Sequence, residues 1–236
     1  MVVTAKLTGV RTVLLPGSGS DDDYVRRAFS SALAAAGATL VTPAPQPGRL
    51  IEAYLEALDD GARDGPIAVG GVSIGAVVAV AWALDHPRDT VAVLVALPPW
   101  TGPSDNAPAA LAARHTADQL RRNGLAATTS VMRASSPRWL ADELTRSWTM
   151  QWPRLPEAFE VAASYGAPSR DELRRLHVPM GIAAAGDDPI HPLEVGMEWA
   201  SAAPRAALRT VMLDEFGPEP GQLGAQCLAA LDQIQP

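Results

Sequence analysis

The sequence predicts an α/β fold: a doubly wound, mostly parallel sheet with a helical cap inserted into it. Three observations lead there. Apolar runs rich in Val, Leu and Ile recur at "RTVLLP", "ATLVTP", "PIAVGGVS", "TVAVLVALP", "VPMGIAAAG" and "LRTVML", near-continuous rather than alternating. Such runs mark strands buried on both faces, which requires a parallel sheet covered by helices. Segments with helical apolar spacing lie between them, and this alternation is interrupted only between residues 101 and 177.

Taken in order, the first strand passes through "GSGS" into "DDDYVRRAFSSALAAAG", a helix whose aspartates suit an N-terminus. The second strand is followed by the helical "GRLIEAYLEALDDGA", and the third runs directly into "GAVVAVAWALDH". The first and third of these helices sit where right-handed crossovers run. After the fourth strand, residues 101–177 carry helical patterns and Pro- and Gly-marked turns but no convincing strand. They are read as a cap between the fourth and fifth strands, leaving residues 1–100 and 178–236 as the core. Ligands are then expected at the carboxyl ends of the strands, at the switch point of the sheet.

Composition narrows the function classes. A chain of 236 residues is long enough for one large α/β domain. No apolar run reaches the roughly 18–20 residues that cross a bilayer, and the start "MVVTAKLTGVRTVLLPG" lacks the pattern of a signal peptide. A soluble cytoplasmic protein without a membrane partner is expected. The net charge of −7 and the scattered arginines disfavour nucleic acid. Cys227 is the only cysteine, with no Cys or His at metal-ligand spacing, and reads as a small buried residue of the helix "LGAQCLAAL". No metal or cofactor is expected.

The chemistry concentrates in Gly71-Val72-Ser73-Ile74-Gly75, a G-x-S-x-G pattern between a strand and a helix. In that context it is a nucleophile elbow, whose small residues permit the tight turn that exposes the serine. A purely structural turn is the competing reading. "GSGSDDD" begins like a dinucleotide fingerprint, but Asp22 replaces the third glycine and the aspartates would repel a pyrophosphate.

With these motifs on the page, the chain resembles proteins of the α/β-hydrolase fold over most of its core. The resemblance implies a serine nucleophile, Ser73. It implies that "LLPGSGSDDD" is the oxyanion loop, in which the backbone N–H groups of Ser18 and Ile74 stabilise a tetrahedral oxyanion. It also aligns Asp188 of "GDDPIHP" with the acid that orients a catalytic base, with Asp187 as fallback. An ordinary Asp-Pro turn is the alternative.

The departure is the base. The family places a histidine after the last strand, where this chain has "DEFGPEPGQLGAQCLAAL". His86 lies thirteen residues beyond Ser73 along a helix, about 20 Å away, and His177 precedes the fifth strand at the wrong edge of the sheet. His115 sits in the cap, its neighbours Arg114 and Asp118 suiting a solvated face. His191 follows Asp188 by three residues at the right edge, where it either reaches both carboxylate and serine or merely stands at a helix entrance beside Pro192. If no histidine serves, Asp214 and Glu215 occupy the family's position for the base.

The expected function is a small serine hydrolase, esterase-, thioesterase- or lactonase-like, acting on a small apolar acyl substrate. Its residues are Ser73, Asp188 and His191, with Ser18 and Ile74 as oxyanion donors. Trp100, His115, Trp148 and Trp152 are candidates for contact with substrate, although the tryptophans, Trp139 included, equally suit gluing the cap to the core. The alternatives are a cofactor-free lyase, isomerase or cyclase on the same fold, or a binding pseudoenzyme, both motivated by the histidine missing after the last strand.

Overall fold

The computed structural model describes residues 7–234; residues 1–6, where the stretch read as lacking a signal peptide begins, lie outside them. All six apolar runs are strands: β1 (Arg11–Leu15), β2 (Thr39–Val41), β3 (Ile67–Val72), β4 (Thr90–Ala96), β5 (Met180–Ala185) and β6 (Ala206–Val211). They form one sheet of order β2-β1-β3-β4-β5-β6, parallel at every pairing. The strand order reverses between β1 and β3, which makes the carboxyl ends of those two strands the switch point.

Helices cover both faces because successive side chains of each strand point to opposite sides. On one face Val13, Leu15, Val69, Val93, Val95 and Ile182 pack with α2 (Leu50–Ala62), α3 (Ile74–Asp85) and α8 (Leu193–Ala202). On the other, Leu14, Ala68, Leu94, Ala96 and Ala183 meet α1 (Asp22–Ala35) and α10 (Gly221–Asp232). Cys227 of α10 is fully buried there; burial pushes its thiol up to about 12, and its S–H donates to the Val95 carbonyl at 3.3 Å.

The insertion between β4 and β5 is helical: α4 (Pro108–Ser135), α5 (Arg138–Gln151), α6 (Leu155–Ser164) and α7 (Arg170–Leu173). The long α4 kinks at Gly124, where φ is +73°. Ala117 and Leu120 of α4, Trp148 of α5, and Leu155 and Phe159 of α6 make a separate small apolar cluster. Ion pairs tie this insertion to α1: Arg146 meets Asp21 at 3.0 Å and Asp23 more closely, and Arg27 meets Glu143 at 2.7 Å. Asp21 is also the N-cap of α1, accepting from the Tyr24 N–H at 2.9 Å. Its carboxyl is held above the usual range: burial raises it more than the Tyr24 bond and the Arg146 charge lower it. Among the described residues no helix is long and apolar enough to cross a membrane.

Candidate active site

Ladder hydrogen bonds carry the carboxyl edge of the sheet one residue past three strands. Ser73 N–H donates to Ala96 at 3.0 Å, Leu97 N–H to Ala183 at 2.8 Å, and Gly186 N–H to Val211 at 2.9 Å. Ser73 and the loop beginning at Gly186 are therefore level, two strand spacings or roughly 10 Å apart. A side chain reaching inward from that loop spans the gap.

At Ser73 the chain turns sharply. Its φ of 54° and ψ of −122° are sparsely populated for a residue with a side chain, so surrounding packing must impose them. The imposing contacts are visible at the flanking glycines. A Cβ at either Gly71 or Gly75 would collide with the Leu15 carbonyl oxygen of β1. Only glycine lets β3, the turn and α3 press this close to β1. Ser73 is left partly exposed above an otherwise buried strand and helix.

The loop after β5 brings the other two groups. Asp188 accepts the Ile190 N–H on Oδ1 at 2.8 Å, an Asx turn across Pro189 that folds His191 back over its own loop. His191 Nδ1 then lies 2.7 Å from Asp188 Oδ2, and its Nε2 lies 3.0 Å from Ser73 Oγ. A carboxylate only accepts, so Nδ1 carries the proton and Nε2 receives the serine hydroxyl. The side chains of His191 and Asp188 are 17% and 10% exposed, dry enough to strengthen the chain without sealing it. Burial alone would raise the Asp188 carboxyl; the bond and charge of His191, with backbone N–H groups of Ile190 and His191, outweigh it and hold it below its ordinary value.

The loop after β1 passes beside the serine. A Cβ on Gly17 would lie 3.6 Å from that of Ser73, so Ser18 follows directly on the contact. Ile74 opens α3, and its N–H has no intrahelical acceptor. The next glycine in the loop, Gly19, touches the inserted helices, a Cβ there lying 2.9 Å from the Phe159 ring and 3.1 Å from Trp148 Nε1.

The remaining candidates separate. Asp187 accepts the Leu213 N–H at 2.9 Å and so ties the β5 loop to α9 (Leu213–Phe216). Asp214 and Glu215 lie exposed on α9, where Glu215 accepts the Met212 N–H at 2.9 Å, away from the hydrogen-bonded chain. They do not occupy the base position expected of them, because "LDEF" winds into a helical turn with its carboxylates outward. His86 stacks on Trp82 at 4.3 Å and His177 is exposed ahead of β5.

His115 is exposed on α4 and has no place in the serine cluster. It lies two residues, about 200° of helix, from the inward Ala117. Trp152 is 39% exposed, since its extended backbone at the end of α5 swings it outward. Trp100 is buried in the core layer of α3 and α8, where its carbonyl accepts from Trp199 Nε1 at 3.2 Å. Trp148 lies against the loop after β1, at Gly19.

Sequence reasoning missed Phe159 and Gln151. Phe159 meets Trp148 edge-on with ring centroids 5.8 Å apart, and Gln151 Nε2 donates to the Ser20 carbonyl at 2.9 Å. Their signal was helical spacing: Gln151 follows Trp148 by three residues and so shares its face. Among the described residues no group of three or more His, Cys, Asp or Glu is placed to hold a metal ion.

No family model and no curated protein matches the sequence. Solved structures do match. A hydrolase from Oleispira antarctica superposes with a TM-score of 0.72 at 16% identity, covering 98% of this chain and 97% of that one. A carboxylesterase from the Thaumarchaeon Nitrososphaera gargenis gives 0.73 at 15% identity, covering 95% and 91%. The enol-lactonase from Burkholderia xenovorans gives 0.70 at 16% identity, with the same coverages of 95% and 91%. Similarity of this extent at so low an identity defines the fold.

Proposed function

We propose, from the α/β-hydrolase fold that this chain has, that it is a serine hydrolase acting on esters, thioesters or lactones of small apolar acyl groups. The observation that carries the reading is the chain Ser73 Oγ to His191 Nε2 at 3.0 Å and His191 Nδ1 to Asp188 Oδ2 at 2.7 Å. In this mechanism His191 takes the Ser73 proton as Oγ attacks the acyl carbon. Asp188 fixes the imidazole tautomer and stabilises the imidazolium. The N–H groups of Ser18 and Ile74 receive the developing oxyanion. The imidazolium then protonates the leaving group, and a water activated by His191 releases the acid and restores Ser73.

The displaced histidine was the motive for a non-hydrolytic or pseudoenzyme reading. The approach of His191 to Ser73 supports the hydrolytic one instead, as does the outward turn of Asp214 and Glu215. The apolar Trp148–Phe159 pair above the loop after β1 supports an apolar acyl group. The test is labelling by a fluorophosphonate probe at neutral pH, located by mass spectrometry. Ser73 is expected to be the modified residue, with no labelling in Ser73→Ala; an unlabelled native protein would refute the proposal.

A further inference from the structure

The turn that carries Ser18 is held at its two ends by different parts of the molecule. At its start Gly17 packs on the elbow, where a Cβ would meet the Val72 carbonyl oxygen at 3.5 Å and the Ser73 Cβ at 3.6 Å. The Ser20 N–H donates to the Gly17 carbonyl at 3.0 Å, closing the turn around Ser18 and Gly19. The far end rests on α5 of the cap at two successive residues. Gln151 Nε2 donates to the Ser20 carbonyl at 2.9 Å and to Ser147 Oγ, one helical turn earlier, at 2.8 Å. Arg146 Nη2 donates to Asp21 Oδ1 at 3.0 Å, the same oxygen that accepts the Tyr24 N–H at the start of α1, and its Nη1 meets Asp23. Asp21 and Gln151 are 3% and 7% exposed, so neither contact is a solvated surface pair.

A Gly-Ser-Gly-Ser turn has little stiffness of its own, because glycine is permissive over φ/ψ space. Oxyanion stabilisation, however, depends on donors that are fixed before the charge develops. We propose that Arg146 and Gln151 are positioning residues for the oxyanion donor: from the cap, they hold the turn of residues 17–20 so that the Ser18 N–H keeps its place beside Ser73. This rests on the hydrolase reading above and gives the cap a part in the rate of the reaction. Both residues act through the turn and neither touches the reacting atoms. Loosening them leaves the bound ground state alone and weakens the transition state.

The experiment follows fluorophosphonate labelling at saturating and limiting probe in the native protein, Arg146→Met and Gln151→Met. In this reaction Ser73 Oγ bonds to phosphorus, fluoride leaves, the serine proton passes to His191, and charge gathers on the phosphonyl oxygen. The amplitude of labelling reports the folded fraction, and the rate reports its chemistry. Each variant is expected to be labelled about tenfold more slowly once the probe is bound, less than the loss of an oxyanion donor itself, with probe affinity within about twofold of native. Protection by propyl trifluoromethyl ketone, whose adduct with Ser73 carries a full oxyanion, should weaken by a similar factor. Arg121→Met, which breaks a bidentate pair with Glu160 between two other cap helices, should be labelled within about twofold of the native rate.

A native rate in either variant overturns the proposal. So does a loss of probe affinity alone, which would make these residues substrate contacts, or an equal slowing in Arg121→Met. Should Gln151→Met fold poorly, Arg146→Met decides, its side chain being 36% exposed. Native labelling of Ser73 with unslowed variants sinks this inference alone, whereas absence of labelling in the native protein sinks the hydrolase reading beneath it.

Discussion

The loops after β5 and β6 leave neighbouring strands at the same sheet edge, yet their charged groups face opposite ways. In the first, four residues, Asp188-Pro189-Ile190-His191, turn a carboxylate and an imidazole inward to Ser73. In the second, Asp214 and Glu215 sit outward on the short helix α9. Its inward face serves packing: Phe216 is buried edge-on to Trp139 of the cap, ring centroids 5.6 Å apart, and a Cβ on Gly217 would strike the Trp139 indole. Asp187 joins the two loops through the Leu213 N–H. The comparison teaches that a carboxylate and an imidazole from one turn can line up on a serine held level with it. The neighbouring loop packs against the cap instead.

The sharpest way to break the comparison is to exchange the loops' importance. His191→Ala is expected to lower kcat/KM on a 4-nitrophenyl ester by about 10³-fold or more, while Asp214→Asn with Glu215→Gln stays within about twofold. A comparable loss from the carboxylate pair would move the base to the β6 loop. Next in size is the elbow. Gly75→Ala forces a methyl into the Leu15 carbonyl, and a loss of about 3 kcal/mol or more in urea unfolding is expected. A fully stable Gly75→Ala protein would mean that the strained turn at Ser73 is not imposed by β1.

Asp188→Asn tests the orienting role and its pH dependence together. Activity is expected to fall about 10²-fold or more. Because the folded-state carboxyl lies below its ordinary 3.8, its ionised form stabilises the protein above that value. That contribution is lost as pH falls through the lower folded pKa. Melting curves of the two proteins should therefore differ most near neutrality and converge below about pH 4; a gap that widens with acid would reverse the assigned sign. The smallest effect belongs to the second loop: Trp139→Ala is expected to cost about 1–2 kcal/mol in urea unfolding through lost packing on Phe216 and Gly217. A larger fall in activity than in stability would give the β6 loop a part in the chemistry after all.

Much of this arrangement was legible in the sequence because it follows from periodicity and backbone sterics. The six apolar runs read as parallel strands buried on both faces, and Gly71 and Gly75 around Ser73 as points of close backbone approach. His191 was legible as far as the sheet edge, since three residues from Asp188 keep it there. The inward fold of its side chain depends on the Asx turn at Ile190, which no hydrophobic period encodes. The cap was harder. His115 faces out because Ala117 and Leu120 set the inward stripe of α4, a matter of helical phase. Trp152 faces out because α5 ends one residue before it. The seam of Trp148 and Gln151 needed the relative placement of α5 and the loop after β1, which the Arg146 and Arg27 ion pairs help to fix across more than a hundred residues of sequence.

The most direct test of the account is the rate at which the fluorophosphonate modifies Ser73 at pH 8 in the native protein and in His191→Ala. An imidazole that takes the serine proton predicts rapid modification of the native protein. The same account predicts a His191→Ala rate at least about a hundredfold lower at pH 8. Equal rates in the two proteins at pH 8 would contradict it.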